Sequence, residues 1–270
     1  MHLDLHLHTT RSDGAVAPEA VPAAARRAGL GAIAVTDHDT TSGVRAARQA
    51  AAAAGGPLVI AGIELSCSLD GADQHLLGYG VDPDHAGLGE VTARMTALRR
   101  ERVAEIVGRL GALGVRISVD DVRAPAGCAA VGRPHVAGAL VRVGAVRHVQ
   151  EAFSRYLADG APAHVPARGP HMADGIRAVA AAGGVSVWAH PALEDARAFP
   201  RLREMGLDGA ETLRPNLPPT ASSALEHAAR DAGLLVTGGS DWHGGPPALG
   251  AWYVTHQHVG GLLERLGITP

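Results

Sequence analysis

Asp4-Leu5-His6-Leu7-His8-Thr9 opens the chain and decides how the rest is read. Polar and apolar residues alternate at period two, the pattern of a β-strand with one face buried. Leu3, Leu5 and Leu7 fall on one face, and Asp4, His6 and His8 on the other. Two imidazoles two residues apart on one strand face can reach a single metal ion. Two surface histidines would look the same, so the pair alone decides nothing. Asp13, in Thr10-Arg11-Ser12-Asp13-Gly14, adds a carboxylate just downstream.

The 270 residues suit one large α/β domain, or one domain carrying an insertion. Aromatic residues are only 3% of the chain, so the core must be built from Ala, Val, Leu and Ile. A net charge of -3 argues against wrapping long nucleic acid, which needs a basic face. Cys67 and Cys128 are too few and too far apart for a disulfide framework or a Cys-rich zinc module. No basic-then-apolar leader and no membrane-length apolar run are visible, and a cytoplasmic protein without a membrane partner is expected.

Working outward, strands are expected at Leu3–Leu7, 32–36, 58–61, 75–79, 185–189, 209–211, 234–237 and near 252–254. Helices are expected at Pro18–Ala28 and Gly43–Ala54, and a long amphipathic one at Thr92–Leu113. Shorter helices follow near 120–123, 135–143 and 146–158. The chain thus divides into a first part of the barrel or sheet (1–90), a helical insertion (91–165) and a second part (166–270). Strand–helix repetition predicts parallel strands. In barrels of such strands the chemistry sits at the C-terminal strand ends.

The candidate ligands fall at those ends. His6 and His8 end the first strand, and His38 follows the second within Asp37-His38-Asp39. Glu64 follows the third, and His75 opens the fourth. His190 follows Val185–Ala189, and Asp241 and His243 follow the strand near Thr237. One such residue is usually a cap or a surface group. Six strand ends carrying them call for one shared cause, a multinuclear metal centre. Imidazole and carboxylate donors suit Zn, Mn or Fe, and the absence of thiolates argues against a closed structural zinc site. Arg133 and His135, in Gly132-Arg133-Pro134-His135, form a second cluster. An arginine fork matches phosphate oxygens, and Arg168 is a further candidate for that task. The other histidines are expected to be structural, with His164 and His171 the first exceptions to look for.

These motifs, from Asp4–Thr9 through Ser12-Asp13-Gly14, Thr36–Asp39, Gly62-Ile63-Glu64 and Ala189-His190-Pro191 to Gly239–His243, resemble the PHP (polymerase and histidinol phosphatase) family of metal-dependent phosphoesterases. The resemblance implies a distorted (β/α)7 barrel with a helical insertion and two or three divalent ions. It implies one ion on His6, His8, Glu64 and Asp241. A second would sit on Asp13, His38 and His243, and a third on Glu64, His75 and His190. Arg133 and His135 would bind phosphate, with His190 also at the reacting centre. The insertion is similar to that of a branch acting on AMP, 3′,5′-bisphosphonucleotides and short 5′-phosphorylated RNA. The expected chemistry is attack of metal-activated hydroxide on phosphorus. Rival readings are a histidinol-phosphate-type phosphatase and C–N bond hydrolysis on the same metals. Glu211-Thr212-Leu213-Arg214-Pro215 departs from the family's usual apolar and aromatic residues after that Glu.

Overall fold

The computed structural model describes residues 1–126 and 130–269, and Cys128 lies outside them. In the first part, strands β1 (His2–Leu7), β2 (Ala32–Val35) and β3 (Leu58–Leu69) alternate with helices α1 (Val21–Arg27) and α2 (Val44–Ala54), and β4 (Ala72–Tyr79) follows. Helices α3 (Ala86–Ala112), α4 (Val119–Ala126), α5 (Arg133–Arg142) and α6 (Val149–Ala152) come next, the last running into a π-helical turn over Phe153–Leu157. The return comprises α7 (Met172–Ala181), β5 (Val185–Trp188), α8 (Phe199–Glu204), β6 (Gly209–Leu213), α9 (Pro219–Asp231), β7 (Leu235–Gly238), β8 (Val254–Thr255) and α10 (His256–Arg265). Among the described residues, no helix is long and apolar enough to cross a membrane.

The eight strands form one barrel-like sheet in the order β7-β6-β5-β4-β3-β2-β1-β8. Pairs β1/β2, β2/β3, β5/β6 and β6/β7 are parallel, as strand–helix alternation predicts. Strand β8 is antiparallel to β1 at the edge, and within the sheet there is a reversal at β4, antiparallel to both β3 and β5. Its cause is local. Asp70 and Gly71 both take positive φ (50° and 83°), the geometry of a two-residue type I′ hairpin turn. The hairpin carries β3 well past Ala61, so Glu64 lies inside the strand rather than after it. Running backwards, β4 brings its early residue His75 to the same mouth as the ends of its neighbours.

Alternation sorts the side chains into two layers. On β2, Ala32 and Ala34 face a core inside the barrel, while Ile33 and Val35 face one beneath the surrounding helices. Small inward residues let the strands close tightly. Leu77, Tyr79, Val185 and Val187 complete the interior, and Val259, Leu262 and Leu263 of α10 close its floor. Leu3, Leu5 and Leu7 do not share the single face that alternation alone predicts. Asp4 pairs with Ile33 and Leu7 with Val35, so β1 spends one residue more than β2 over the same span. That bulge switches the alternation. Leu3 and Leu5 face the interior, Leu7 the helices.

A third cluster lies wholly within 103–165, built from Val103, Ile106, Leu110, Val136, Leu140 and Leu157 among others. Leu262 is fully buried in the floor. Its replacement by alanine should cost about 2–5 kcal/mol. Thermal unfolding of the variant measures this, and an unchanged melting temperature would contradict the assignment of that floor.

Candidate metal centre

At the barrel mouth, nine side chains from β1, β3, β4 and the loops after β1, β2, β5 and β7 converge. They separate into groups whose donor atoms stand about one coordination edge apart. His6 Nε2 lies 3.3 Å from both Glu64 Oε2 and Asp241 Oδ1, and His8 Nε2 lies 3.2 and 3.1 Å from the same two oxygens. Donors about 2.0–2.2 Å from a shared tetrahedral ion stand roughly 3.3–3.6 Å apart, so these four could hold one ion. Asp13 is approached by His8 Nδ1 at 3.6 Å, His38 Nε2 at 3.7 Å and His243 Nε2 at 3.4 Å. On the other side, Glu64 Oε1 stands 3.0 Å from His75 Nδ1 and 3.1 Å from His190 Nε2. Those two ring nitrogens are 3.2 Å apart. His38 Nδ1 also reaches Glu64 Oε2, at 3.0 Å. Five imidazoles thus meet one carboxylate.

The donor set fits cations. His6 Nε2, His38 Nδ1, Asp13 Oδ1 and Glu64 Oε2 are all buried, and although other donor atoms stand close, none makes an aligned hydrogen bond. Buried polar atoms in that state are rare unless a ligand completes them. The charges agree. Burial would discharge His6 and His8, but carboxylates outweigh it: Glu211, Glu64 and Asp241 hold His6 well above its ordinary value, and Asp241, Glu64 and Asp13 hold His8 at about 10. Burial would also raise Asp13 and Glu64, yet the imidazoles around them, His38 foremost, keep both well below the usual carboxylate range. Without a metal the cluster needs protons as its counter-charge; a divalent cation replaces them.

The loops bearing these ligands are held by carboxylates behind them. Asp37 accepts from Thr9 N–H, Thr9 Oγ1 and Ser12 Oγ at 2.7–2.8 Å, folding the loop that presents Asp13. Asp39, at φ 51°, accepts from Ser66 N–H and Ser66 Oγ. Asp4 accepts from Ser240 N–H and Oγ, placing the residue before Asp241. His190 and Asp241 themselves sit at positive φ (35° and 54°), strain of the kind that clusters at functional sites. Gly239 is needed for close approach: a Cβ there would lie 2.2 Å from the His6 Cβ.

Beside the ligands is a cavity lined by Asp13, His38, His75, Arg99, Arg102 and Arg133. Arg99 donates from Nε to Asp39 Oδ2 at 2.5 Å and from Nη2 to Ser66 Oγ at 2.8 Å. Arg102 is fixed by Val165 O and Asp73, and its guanidinium is shifted down by burial and by the neighbouring Arg133. Arg133 pairs with Asp159, which is 78% exposed. The sequence pointed to Arg133 but not to Arg99 or Arg102. Their only signal was two arginines three apart on one face of the long helix. His135 ties α5 to the loop after β1: its Nδ1 accepts from Gly132 N–H and its Nε2 donates to Ser12 O. Arg168 is 63% exposed, pairs with Glu105 and does not line the cavity. His164 pairs with Asp159, and His171 caps α7; neither joins the cluster.

A barrel mouth with this donor set beside an arginine-lined cavity defines a metal-dependent hydrolase of phosphate esters. The comparisons agree. The PHP domain family matches residues 4–107. The chain is 31% identical over 247 residues to the 5′-3′ exoribonuclease Rnm of Escherichia coli, covering 89% of this chain and 84% of that protein. It is 34% identical to the 3′,5′-nucleoside bisphosphate phosphatase of Chromobacterium violaceum, covering 90% and 87%. Among solved structures, a protein from Bifidobacterium adolescentis assigned as a metal-dependent phosphoesterase superposes with a TM-score of 0.87 at 33% identity, covering 97% and 96%. A Chromobacterium violaceum structure described as an amidohydrolase with bound sulfate and no metal gives 0.86 at 29% identity, covering 94% and 92%. This chain belongs to the PHP family, and it is a phosphoesterase.

Proposed function

We propose that the enzyme cleaves a phosphomonoester or phosphodiester bond of a nucleotide or short oligonucleotide: AMP, a 3′,5′-bisphosphonucleotide or the 5′ end of a short RNA. On this reading two or three ions of Mn, Fe or Zn are held by His6, His8, Asp13, His38, Glu64, His75, His190, Asp241 and His243. Residues 91–165 act as a capping subdomain over the cytoplasmic substrate. The observation that carries the reading is that Arg99, Arg102 and Arg133 line the same cavity as Asp13, His38 and His75. Three guanidiniums crowded at a metal centre are stabilised by an anion, and a phosphoryl group supplies one. The names of the two nucleotide-directed relatives support the same substrate class.

Divalent ions lower the pKa of water and polarise phosphoryl oxygens. The protein's own groups do the rest. Arg99 and Arg102 are locked by Asp39, Ser66 and Asp73 and present a rigid cationic wall. Arg133, tied to an exposed aspartate, can exchange that partner for a phosphoryl oxygen. His135 holds the loop that carries Asp13 through its bond to Ser12 O.

Arg133→Ala should raise KM for a phosphate substrate about 10–100-fold, the worth of one hydrogen bond to a charged group, with a smaller change in kcat. The assay is phosphate release with added Mn on AMP, bisphosphonucleotides, 5′-phosphorylated short RNA and histidinol phosphate. Turnover of histidinol phosphate alone would redirect the substrate assignment. Hydrolysis of C–N substrates, insensitive to Arg133→Ala, would overturn it.

A further inference from the structure

Strand β6 contributes none of the nine candidate ligands, yet its middle residue is fastened to two of them. Glu211 is buried at 1% exposure. Its Oε1 accepts from His6 Nδ1–H at 3.0 Å, and its Oε2 accepts the backbone N–H of His190 at 2.9 Å. Three residues on, Arg214 reaches the same turn from the other side. Its Nη2 donates to Pro191 O at 2.9 Å and its Nη1 to Glu211 O at 3.4 Å. The His190-Pro191 turn is therefore gripped at an N–H and at a C=O, and the His190 backbone inside that grip has φ 35°.

We infer that Glu211 is a positioning residue that serves two metal subsites with one carboxylate, and that Arg214 completes its hold on the second. The inference rests on the metal reading above. On the His6 side the logic is tautomeric. A ring whose Nδ1 carries the shared proton has its lone pair on Nε2, the atom facing Glu64 and Asp241. On the His190 side the logic is conformational. A non-glycine residue at this φ is costly, and the bond to Glu211 Oε2 holds the ring where Nε2 meets Glu64 Oε1 at 3.1 Å. One side chain thus sets the ring orientation of ligands 184 positions apart.

The variant that separates this from simple packing is Glu211→Gln, equal in size and able to make only one of the two bonds as the carboxylate does. If the amide NH2 faces His6, Nδ1 becomes the acceptor and the ring proton moves to the ligating nitrogen. If it faces His190, it meets another N–H. In the zinc-loaded protein, NMR should show a protected His6 Nδ1–H proton in the wild type that is lost in Glu211→Gln when the amide NH2 faces His6 and kept when it faces His190. Equilibrium dialysis should show affinity about 10–100-fold weaker for the ion at the subsite that the NH2 faces, His6 in the first case and His190 in the second. The Asp13–His38–His243 subsite should keep its ion. Arg214→Gln, at a half-buried site, should weaken only the His190 subsite and leave the His6 proton signal in place.

Wild-type metal affinity with a retained Nδ1–H signal in Glu211→Gln would overturn the inference and leave the metal reading standing. Equal weakening of all three subsites would also overturn it, since that is what general loss of packing produces. A wild-type protein that takes up no divalent ion would overturn the metal reading itself.

Discussion

Glu64→Gln is expected to lower turnover by about a thousandfold or more while the protein stays folded. Glu64 is fully enclosed, and its two oxygens together meet the rings of His6, His8, His38, His75 and His190. Glutamine keeps the volume, so the inner core and the β3–β4 pairing are undisturbed. It removes the charge that draws five rings together and turns an NH2 donor toward nitrogens that must offer lone pairs. Metal participation is worth several kcal/mol of transition-state stabilisation, and each 1.36 kcal/mol is a factor of ten, which sets the scale. Single-turnover rates with Mn, metal content and circular dichroism measure the three parts of this expectation. A folded variant within tenfold of wild type would refute the bridging role.

Asp241→Asn should cost about a hundredfold to a thousandfold in kcat, with little change in KM. The substitution is chosen for the backbone. Asp241 sits at φ 54°, a region that asparagine tolerates and alanine does not, so the loop keeps its shape. The side chain is 45% exposed, so neutralising it leaves no buried orphan. What is lost is one of the two carboxylate oxygens that face both His6 and His8, the other being Glu64 Oε2. Arg133 and the cavity wall are untouched, so substrate binding should persist. A kcat unchanged at saturating Mn would show that Asp241 lies outside the reacting centre.

Much of the candidate site could be read from the sequence because its polar residues come soon after apolar runs. His38, His190, Asp241 and His243 all do, and a parallel strand end is a place the chain marks with an abrupt change from apolar to polar. His75 fits that rule only once β4 is seen to run backwards, and the Asp70-Gly71 turn that reverses it was the local signal for it. The bulge in β1 was hidden because alternation in one strand says nothing about how many residues its neighbour spends over the same distance. Arg99, Arg102 and Glu211 were hidden for a different reason. Each has an ordinary place in its own element, as a charge on an amphipathic helix or a polar residue in a strand. Their meaning comes from partners such as Asp39, Asp73 and His190, dozens of positions away.

The barrel has a weak join. Where the sheet comes full circle, the segment after β7 meets β1 through His8 N–H to Trp242 O at 2.8 Å and Trp242 N–H to His6 O at 3.4 Å. The ligand pairs stand on opposite banks of that join, His6 and His8 on one side, Asp241 and His243 on the other. A cation held by His8 and Asp241 would therefore be a clasp between residues 233 positions apart, drawn across the thinnest line in the wall. Ions held there for hydrolysis would also buckle the cylinder shut.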